Sequence, residues 1–169
     1  MMKKLVLLLI MTVAMSTVQA QSLRFGYFCL QNVMKSLPEY TIAKQNMATL
    51  TSKYEAETKR SEDEFNRKYE EFLEGQHDFA PSILEKRQSE LRELLEKNIA
   101  FKENSKKLLK QAEVEAYAPV KKKVFEAVKI VGQKLNLAFV MNSDEDTLPY
   151  VDTNMGIDIT DALKIELAH

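Results

Sequence analysis

The pattern of apolar and polar residues predicts one long helical block between short strands. Residues 40–74 contain neither glycine nor proline, and apolar or small residues recur there at steps of three and four. These positions are Met47, Leu50, Tyr54, Thr58, Ser61, Phe65, Tyr69 and Phe72. They form one narrow stripe with a polar middle, which is expected of a helix that packs against a single neighbour.

A second helix is predicted from about residue 83 to residue 135, after a turn at residues 75–82. Gly75 ends the first helix, and Ser82 with Glu85 forms a capping box for the second. The predicted stripe of the second helix comprises Leu84, Leu91, Leu95, Ile99, Leu109, Ala112 and Ala116. The two helices form an antiparallel hairpin, a coiled-coil arm on the order of 50 Å long at about 1.5 Å per residue.

Pro119 marks the predicted joint between this arm and a compact body, because an internal proline kinks or breaks a helix. Beyond it the apolar face widens to include Val120, Val124, Phe125, Val128, Ile130, Val131 and Leu135. We therefore assign residues 40–118 to the arm, and residues 21–39 and 119–169 to the body, on whose sheet this last helical part packs.

Short strands complete the predicted body. Residues 23–28 alternate in the period-two manner of a strand, residues 137–141 are almost wholly apolar, and residues 148–151 could form an edge strand containing Pro149. The fold class is therefore α+β, predominantly α. Because such short strands supply little core, the simplest solution is for several chains to pool their strands in an oligomer.

Local signals predict the ends of the remaining helices. Residues 30–37 form a short helix, and Ser36 caps the arm's first helix, with Glu39 completing a capping box and Pro38 in the first turn. Asn136 takes the left-handed position after the second arm helix. A final amphipathic helix starts with residues 158–161 and continues through Leu163 and Leu167.

Residues 1–20 are predicted to be a cleaved signal peptide that directs export to the periplasm. Lys3 and Lys4 precede an apolar run, and Val18 and Ala20 fit a small-residue cleavage site. The alternative, an uncleaved membrane anchor, requires a longer apolar run of roughly 18 to 20 residues. A lipoprotein would require cysteine just after the cleavage site, where this chain has Gln21.

The charge balance excludes nucleic acid as an expected partner. Loss of Lys3 and Lys4 with the signal peptide lowers the formal net charge from −1 to −3. The basic run at residues 121–123 is interpreted as a solvated face. A weak contact with a membrane surface or lipopolysaccharide is its functional alternative.

No motif or residue constellation predicts an enzyme, a metal site or a cofactor site. His77 lies in the predicted turn and His169 is the last residue, and neither has a ligand-type neighbour at helical spacing. Cys29 is the single cysteine and cannot form an internal disulfide. We interpret it as a small buried apolar residue, although an intermolecular disulfide stays open.

The order of these parts resembles the Skp/OmpH family of periplasmic chaperones over essentially the whole mature chain. The resemblance is carried by both ends: residues 25–34 are similar to the family's first strand and following turn, and residues 158–161 to its C-terminal signature. A block from Val124 through Asn136 to residues 139–142 also matches. The central helices match in kind only.

This resemblance implies a homotrimer in which strands of three subunits form a small β-barrel body. Three helical arms would surround a cavity that holds unfolded outer membrane β-barrel proteins and prevents their aggregation without ATP. The chain departs from the family in two ways. It is not basic overall, which leaves attraction to acidic clients or lipopolysaccharide in question, and Cys29 stands where a polar residue is frequent.

Two sets of candidate residues follow. The candidate client contacts are Phe72, Leu73, Phe79 and Ile83; packing within the hairpin is the competing interpretation, and it is favoured for Phe72 and Leu73. The candidate residues of the trimer body are Phe25, Tyr27, Leu137, Phe139 and Met141. The alternative function is that of a structural or adaptor coiled-coil protein which binds one folded envelope partner through the same arms.

Overall fold

The computed structural model describes residues 24–144, 148 and 150–168. The chain runs through β1 (Phe25–Phe28), α1 (Leu30–Lys35), α2 (Pro38–Gly75), α3 (Pro81–Lys134), β2 (Phe139–Asn142), β3 (Gly156–Asp158) and α4 (Thr160–Leu167). The predicted signal peptide, Gln21 and His169 lie outside the described residues. The predicted fold class, a long helical hairpin inserted in a small strand-containing body, is confirmed.

The sheet has the order β2-β1-β3, and β1 pairs in parallel with both neighbours. Phe25 lies opposite Phe139 on one side and Gly156 on the other. Parallel neighbours require a long crossover connection. Between β1 and β2 that connection is the helical arm itself, so the hairpin is inserted within the sheet.

The core lies where α1, α4 and the last turns of α3 meet one face of the sheet. Helix α3 buries Val120, Val124, Ala127 and Val131, positions spaced three and four residues apart. Leu163 of α4 and Val33 of α1 are fully buried beside them, as is Phe28 of the central strand. The arm differs, because only Ala43 of α2 and Ser105 in the arm part of α3 are buried.

Of the two predicted effects of Pro119, a kink or a break, the break does not occur, since α3 is one continuous helix from Pro81 to Lys134. The missing amide hydrogen removes the helical donor of the Glu115 carbonyl. Both residues lie on the exposed side of the helix, where water can replace that donor. The next residue, Val120, is anchored in the core. Packing on the buried side therefore outweighs the cost of the proline.

Both predicted capping boxes are wrong. Leu37 occupies the N-cap position of α2, and the hydroxyl of Ser36 instead donates to the Val33 carbonyl of α1 at 2.7 Å. Helix α3 begins at Pro81 with Ala80 at the N-cap, so Ser82 lies within the first turn. In both cases the proline sets the first helical position.

The end of α3 agrees with its prediction. Asn136 has a positive φ of 50°. The amide of Leu137 donates to the Gly132 carbonyl at 2.9 Å, and that of Asn136 donates to the Gln133 carbonyl at 3.2 Å. This pair of bonds is the Schellman motif, which closes the helix and turns the chain into β2.

The third strand lies at Gly156–Asp158, not at the predicted residues 148–151. Of that predicted strand, the described residues 148, 150 and 151 have no strand structure. The ring of Phe25 covers Gly156. A Cβ atom added to Gly156 would lie only 2.6 Å from the Cε2 atom of Phe25. The final helix consequently starts at Thr160, and the Asp158 carboxylate accepts its amide hydrogen at 2.9 Å.

The predicted stripe on α3 is partly wrong in register. Leu95 and Ile99 point to solvent, and Leu94, Asn98, Phe101 and Ser105 face α2 instead. The side-chain amide of Asn98 donates to the Ser61 carbonyl at 2.9 Å. Polar residues of both helices meet in the middle of the arm. The pattern of apolar residues alone therefore predicted the wrong contact face of α3 there.

We expect Leu163→Ala to lower the free energy of unfolding by about 2–5 kcal/mol, because the side chain is fully buried and leaves a cavity. Ile165 of the same helix is 65% exposed, so Ile165→Ala should change the free energy of unfolding by less than about 0.5 kcal/mol. Denaturant titration at equal protein concentration measures both. Equal losses would contradict the assignment of the core.

We expect Asn136→Ala to lower the free energy of unfolding by about 1 kcal/mol, because alanine resists a positive φ. Asn136→Gly should be tolerated, since glycine adopts this conformation readily. Thermal unfolding of the two variants measures which of them is the more stable. The position is exposed, so lost packing does not explain a difference.

Candidate functional site

At the tip of the arm, Phe79 folds back onto the hairpin. Its ring centroid lies 6.3 Å from that of Phe72, with the rings tilted by 47°. A Cβ added to Gly75 would lie 2.7 Å from the Cζ atom of Phe79, so the missing side chain makes room for the ring. The structure therefore places Phe72 and Phe79 in hairpin packing.

The other two candidate client residues, Leu73 and Ile83, are exposed at the tip. Phe72 and Phe79 also line a groove of about 180 Å³, together with Leu91 and charged residues. The charges are largely paired, as in the Arg87–Glu90 contact at 3.0 Å. The tip thus offers apolar surface inside an electrically balanced rim.

A further apolar surface lies on one side of the outer half of the arm. Leu95, Ile99 and Phe65 line a groove of about 270 Å³. The ring of Phe65 stacks on that of Tyr69 with centroids 5.9 Å apart, and Leu73 follows Tyr69 by one helical turn. We call these five residues the distal apolar face.

Sequence reasoning missed the distal apolar face because it assigned Phe65, Tyr69, Leu95 and Ile99 to the contact between the helices. The signal that could have found it was the adjacent Leu94-Leu95 pair, in which only one residue can face α2. Phe65 alone belongs to both surfaces, since it is half-buried against α3 and lines the groove.

The middle of the arm is held by polar contacts. Lys102 pairs with Glu62 across the two helices at 3.2 Å, and the Thr58 hydroxyl donates to the Tyr54 carbonyl of its own helix at 2.8 Å. Tyr54 and Phe101 form a tilted aromatic contact at 6.3 Å. At this level the helices therefore meet through both a polar and an aromatic contact.

The base of the arm is held more firmly. The rings of Tyr40 and Tyr117 stack with centroids 5.2 Å apart, and Lys123 pairs with Glu39 at 2.6 Å. The hydrogen bond from Lys123 lowers the pKa of the Glu39 carboxyl, and burial raises the pKa of the Tyr117 hydroxyl. Lys123 is thus engaged within the chain, which leaves less free charge in the basic run.

Four of the five candidate trimer residues share one face of the sheet. Phe25 and Tyr27 lie opposite Phe139 and Met141 in register, and the Phe25 and Phe139 rings stack at 5.6 Å with nearly parallel planes. Within the described chain, none of the four belongs to the core, and Phe139 is 43% exposed.

Leu137 is the exception, because it packs against the core on the opposite side of the sheet. Its Cδ1 atom lies 2.7 Å from the position of a Cβ added to Gly26. Leu137 follows the Schellman turn, before β2 begins at Phe139, so the strand alternation does not extend to it. The side chain of Leu137 therefore lies on the core side of the sheet, away from that of Phe139.

Cys29 lies half-buried between β1 and α1. Burial is the main cause that raises the pKa of its thiol, and the Asp144 carboxylate adds to the effect. A raised pKa keeps the thiol protonated and poorly nucleophilic near neutral pH. This agrees with its interpretation as a small apolar residue.

The described residues contain no group of three or more histidine, cysteine, aspartate or glutamate residues placed to hold a metal ion. No helix in this part of the chain is long and apolar enough to cross a membrane.

Comparison with known proteins gives two positive findings. The sequence profile described as outer membrane protein (OmpH-like) matches residues 24–167. A crystal structure of an OmpH-like outer membrane chaperone candidate from Caulobacter crescentus CB15 has a similar fold, with a TM-score of 0.69 at 15% identity. The match covers 85% of this chain and 82% of that one.

A sequence comparison with curated proteins gives no match. The family assignment rests on the profile, which spans nearly all of the described chain, and the structural match supports the fold. The predicted resemblance is confirmed: the chain belongs to the OmpH-like outer membrane protein family.

Proposed function

We propose that the protein is an ATP-independent holdase of the periplasm, which binds unfolded outer membrane proteins and prevents their aggregation. The family is one of chaperones. The observation that carries the proposal is the arm, which leaves Leu73, Ile83 and Leu95 exposed around ion-paired charges. Such a surface suits weak, reversible contact with the apolar side chains of many different clients.

The candidate client residues divide into two pairs under this proposal. Leu73 and Ile83 contact the client directly, because their side chains are exposed. Phe72 and Phe79 mainly shape the tip, since they pack on each other. Each contact is weak, so useful affinity requires several arms to act together on one unfolded chain.

Trimerisation through the sheet provides those several arms. The face formed by Phe25, Tyr27, Phe139 and Met141 is apolar and lies outside the core of its own chain. The three parallel strands have only three or four residues each, which is little for a stable isolated sheet. Pooling of strands between chains supports both the body and a central cavity between three arms.

Lipid or lipopolysaccharide has a weaker basis as a partner. Lys123 of the basic run is paired with Glu39 on the facing helix. Helix α2 is rich in acidic residues and α3 in lysine, so the two helices offset much of each other's charge. The proposal therefore rests on apolar client contact and requires no cofactor.

We expect the protein at stoichiometric amounts to suppress light scattering when an unfolded β-barrel protein is diluted from denaturant. The double variant Leu73→Asn and Ile83→Asn should suppress it several-fold less, because two exposed apolar contacts are lost. Ile42→Asn, which removes a similarly exposed residue at the base of the arm, is the matched control.

Unchanged aggregation with the wild-type protein would refute the holdase proposal. The same protein used as bait in envelope extract separates the alternatives. A spread of barrel proteins supports the holdase, and one dominant folded partner supports the adaptor.

We expect sedimentation velocity to show a trimer at micromolar concentration. Phe139→Asp should shift the protein to monomers, because a carboxylate on the exposed apolar sheet face disfavours its burial. Val114 lies on the arm and is 67% exposed, so Val114→Asp should leave the trimer intact. A folded wild-type monomer at this concentration would rule out the trimer.

A further inference from the structure

The distal apolar face has more exposed apolar surface than helix packing requires. Tyr69, Leu73, Leu95 and Ile99 are between 42% and 55% exposed. Phe65 joins them, since it stacks on Tyr69 and lines the same groove as Leu95 and Ile99. Contiguous apolar surface of this kind on a soluble protein marks an interaction site more often than isolated exposed residues do.

The charges at the border of this face cancel. Lys102 and Glu62 line the groove at its lower end and pair with each other at 3.2 Å. The remaining polar lining consists of the neutral amides of Asn66 and Asn98. The groove at Phe65, Leu95 and Ile99 is therefore complementary to an uncharged apolar surface, and its lining gives no preference for an acidic or a basic partner.

The spacing of the face matches an extended peptide. Phe65, Tyr69 and Leu73 follow one another at four-residue intervals, as do Leu95 and Ile99, which is about 6 Å per step along a helix. An extended strand presents side chains on one face about every 6.8 Å. Side chains on one side of an extended strand can therefore lie, one after another, beside successive residues of the distal apolar face.

The area of the face argues against a permanent contact with a second copy. Four half-exposed large side chains leave on the order of 400 Å² of surface. Two such faces together would bury roughly 800 Å², which is below the ~1,200 Å² at which stable specific interfaces begin. A transient partner fits this area better than an obligate one.

We infer that the distal apolar face binds client segments in extended form, through apolar side chains at alternate positions of the segment. This is the pattern by which a membrane-spanning β-strand turns its apolar residues to lipid. The inference rests on the proposed holdase function and specifies which form of the client the arm recognises.

The test uses the full-length mature protein and two labelled peptides of about ten residues, the length of a membrane-spanning strand. Both have the same composition, but one alternates apolar and polar residues and the other groups the apolar residues in one block. Fluorescence anisotropy measures binding to wild type, to Leu95→Asn/Ile99→Asn, and to the control Ile42→Asn/Leu108→Asn. The control removes comparably exposed apolar residues outside the face.

We expect the alternating peptide to bind wild type and the control at least fivefold more tightly than the blocked peptide. The face variant should lose this preference while keeping its helical circular dichroism and its sedimentation coefficient. Equal binding of the two peptides to wild type, or a preference retained by the face variant, would overturn the inference.

The aggregation assay separates this inference from the holdase proposal. If wild type suppresses aggregation but shows no peptide preference, the inference fails and the holdase stands. If wild type does not suppress aggregation, the holdase itself fails. A face variant that sediments as a smaller species would show that the face joins two copies, which also overturns the inference.

Discussion

The parallel pairing of β1 with β2 is the constraint on which the rest of the structure depends. Parallel neighbours cannot be joined by a tight turn, so the chain that leaves β1 must return to the same end of the sheet before β2 begins. Here the return path is the arm. Helix α3 has to finish beside the sheet, and its last turns therefore carry core residues such as Val124. A single helix thus belongs to the body and to the arm, and Pro119 does not divide it.

The two parts of α3 are stabilised by different physics. In the body, Val33, Val124 and Leu163 are fully buried, and burial of such side chains contributes about 1.5–3 kcal/mol each. Along the arm the helices share only a narrow, half-buried contact. Exposed ion pairs within one helix, such as Lys97–Glu93 at 2.6 Å, add little stability because water and salt screen them. An arm held in this way does not need every apolar residue in its interior. It therefore tolerates Leu95 and Ile99 in solvent, which a compact core would not.

Local signals predicted most of the fold. The capping errors are local, because a proline sets the first residue of both arm helices, whereas the errors in the third strand and in the contact face of α3 come from contacts between distant segments. The left-handed conformation of Asn136 and the end of α2 at Gly75 depend on neighbouring residues, and both are as predicted. The short strand β3 carries no alternation and is defined by its pairing with β1, more than one hundred residues away in sequence, where Gly156 fits under the ring of Phe25. The contact face of α3 was misplaced at Leu95 and Ile99 for the same reason. The hydrogen bond from Asn98 to Ser61 joins the helices through polar groups that hydrophobicity does not reveal.

Two apolar surfaces that the described residues leave uncovered, one on the sheet and one on the arm, differ in kind. On the sheet, Phe25 and Phe139 are stacked and fixed by the strand register, which suits permanent burial by another copy. On the arm, the apolar residues form a narrow strip whose area is too small for an obligate interface. Association through the sheet would place several such strips around one space. Under the proposed function, a client held by all of them would be retained by multivalency. Because each weak contact could break alone, its release would require no ATP.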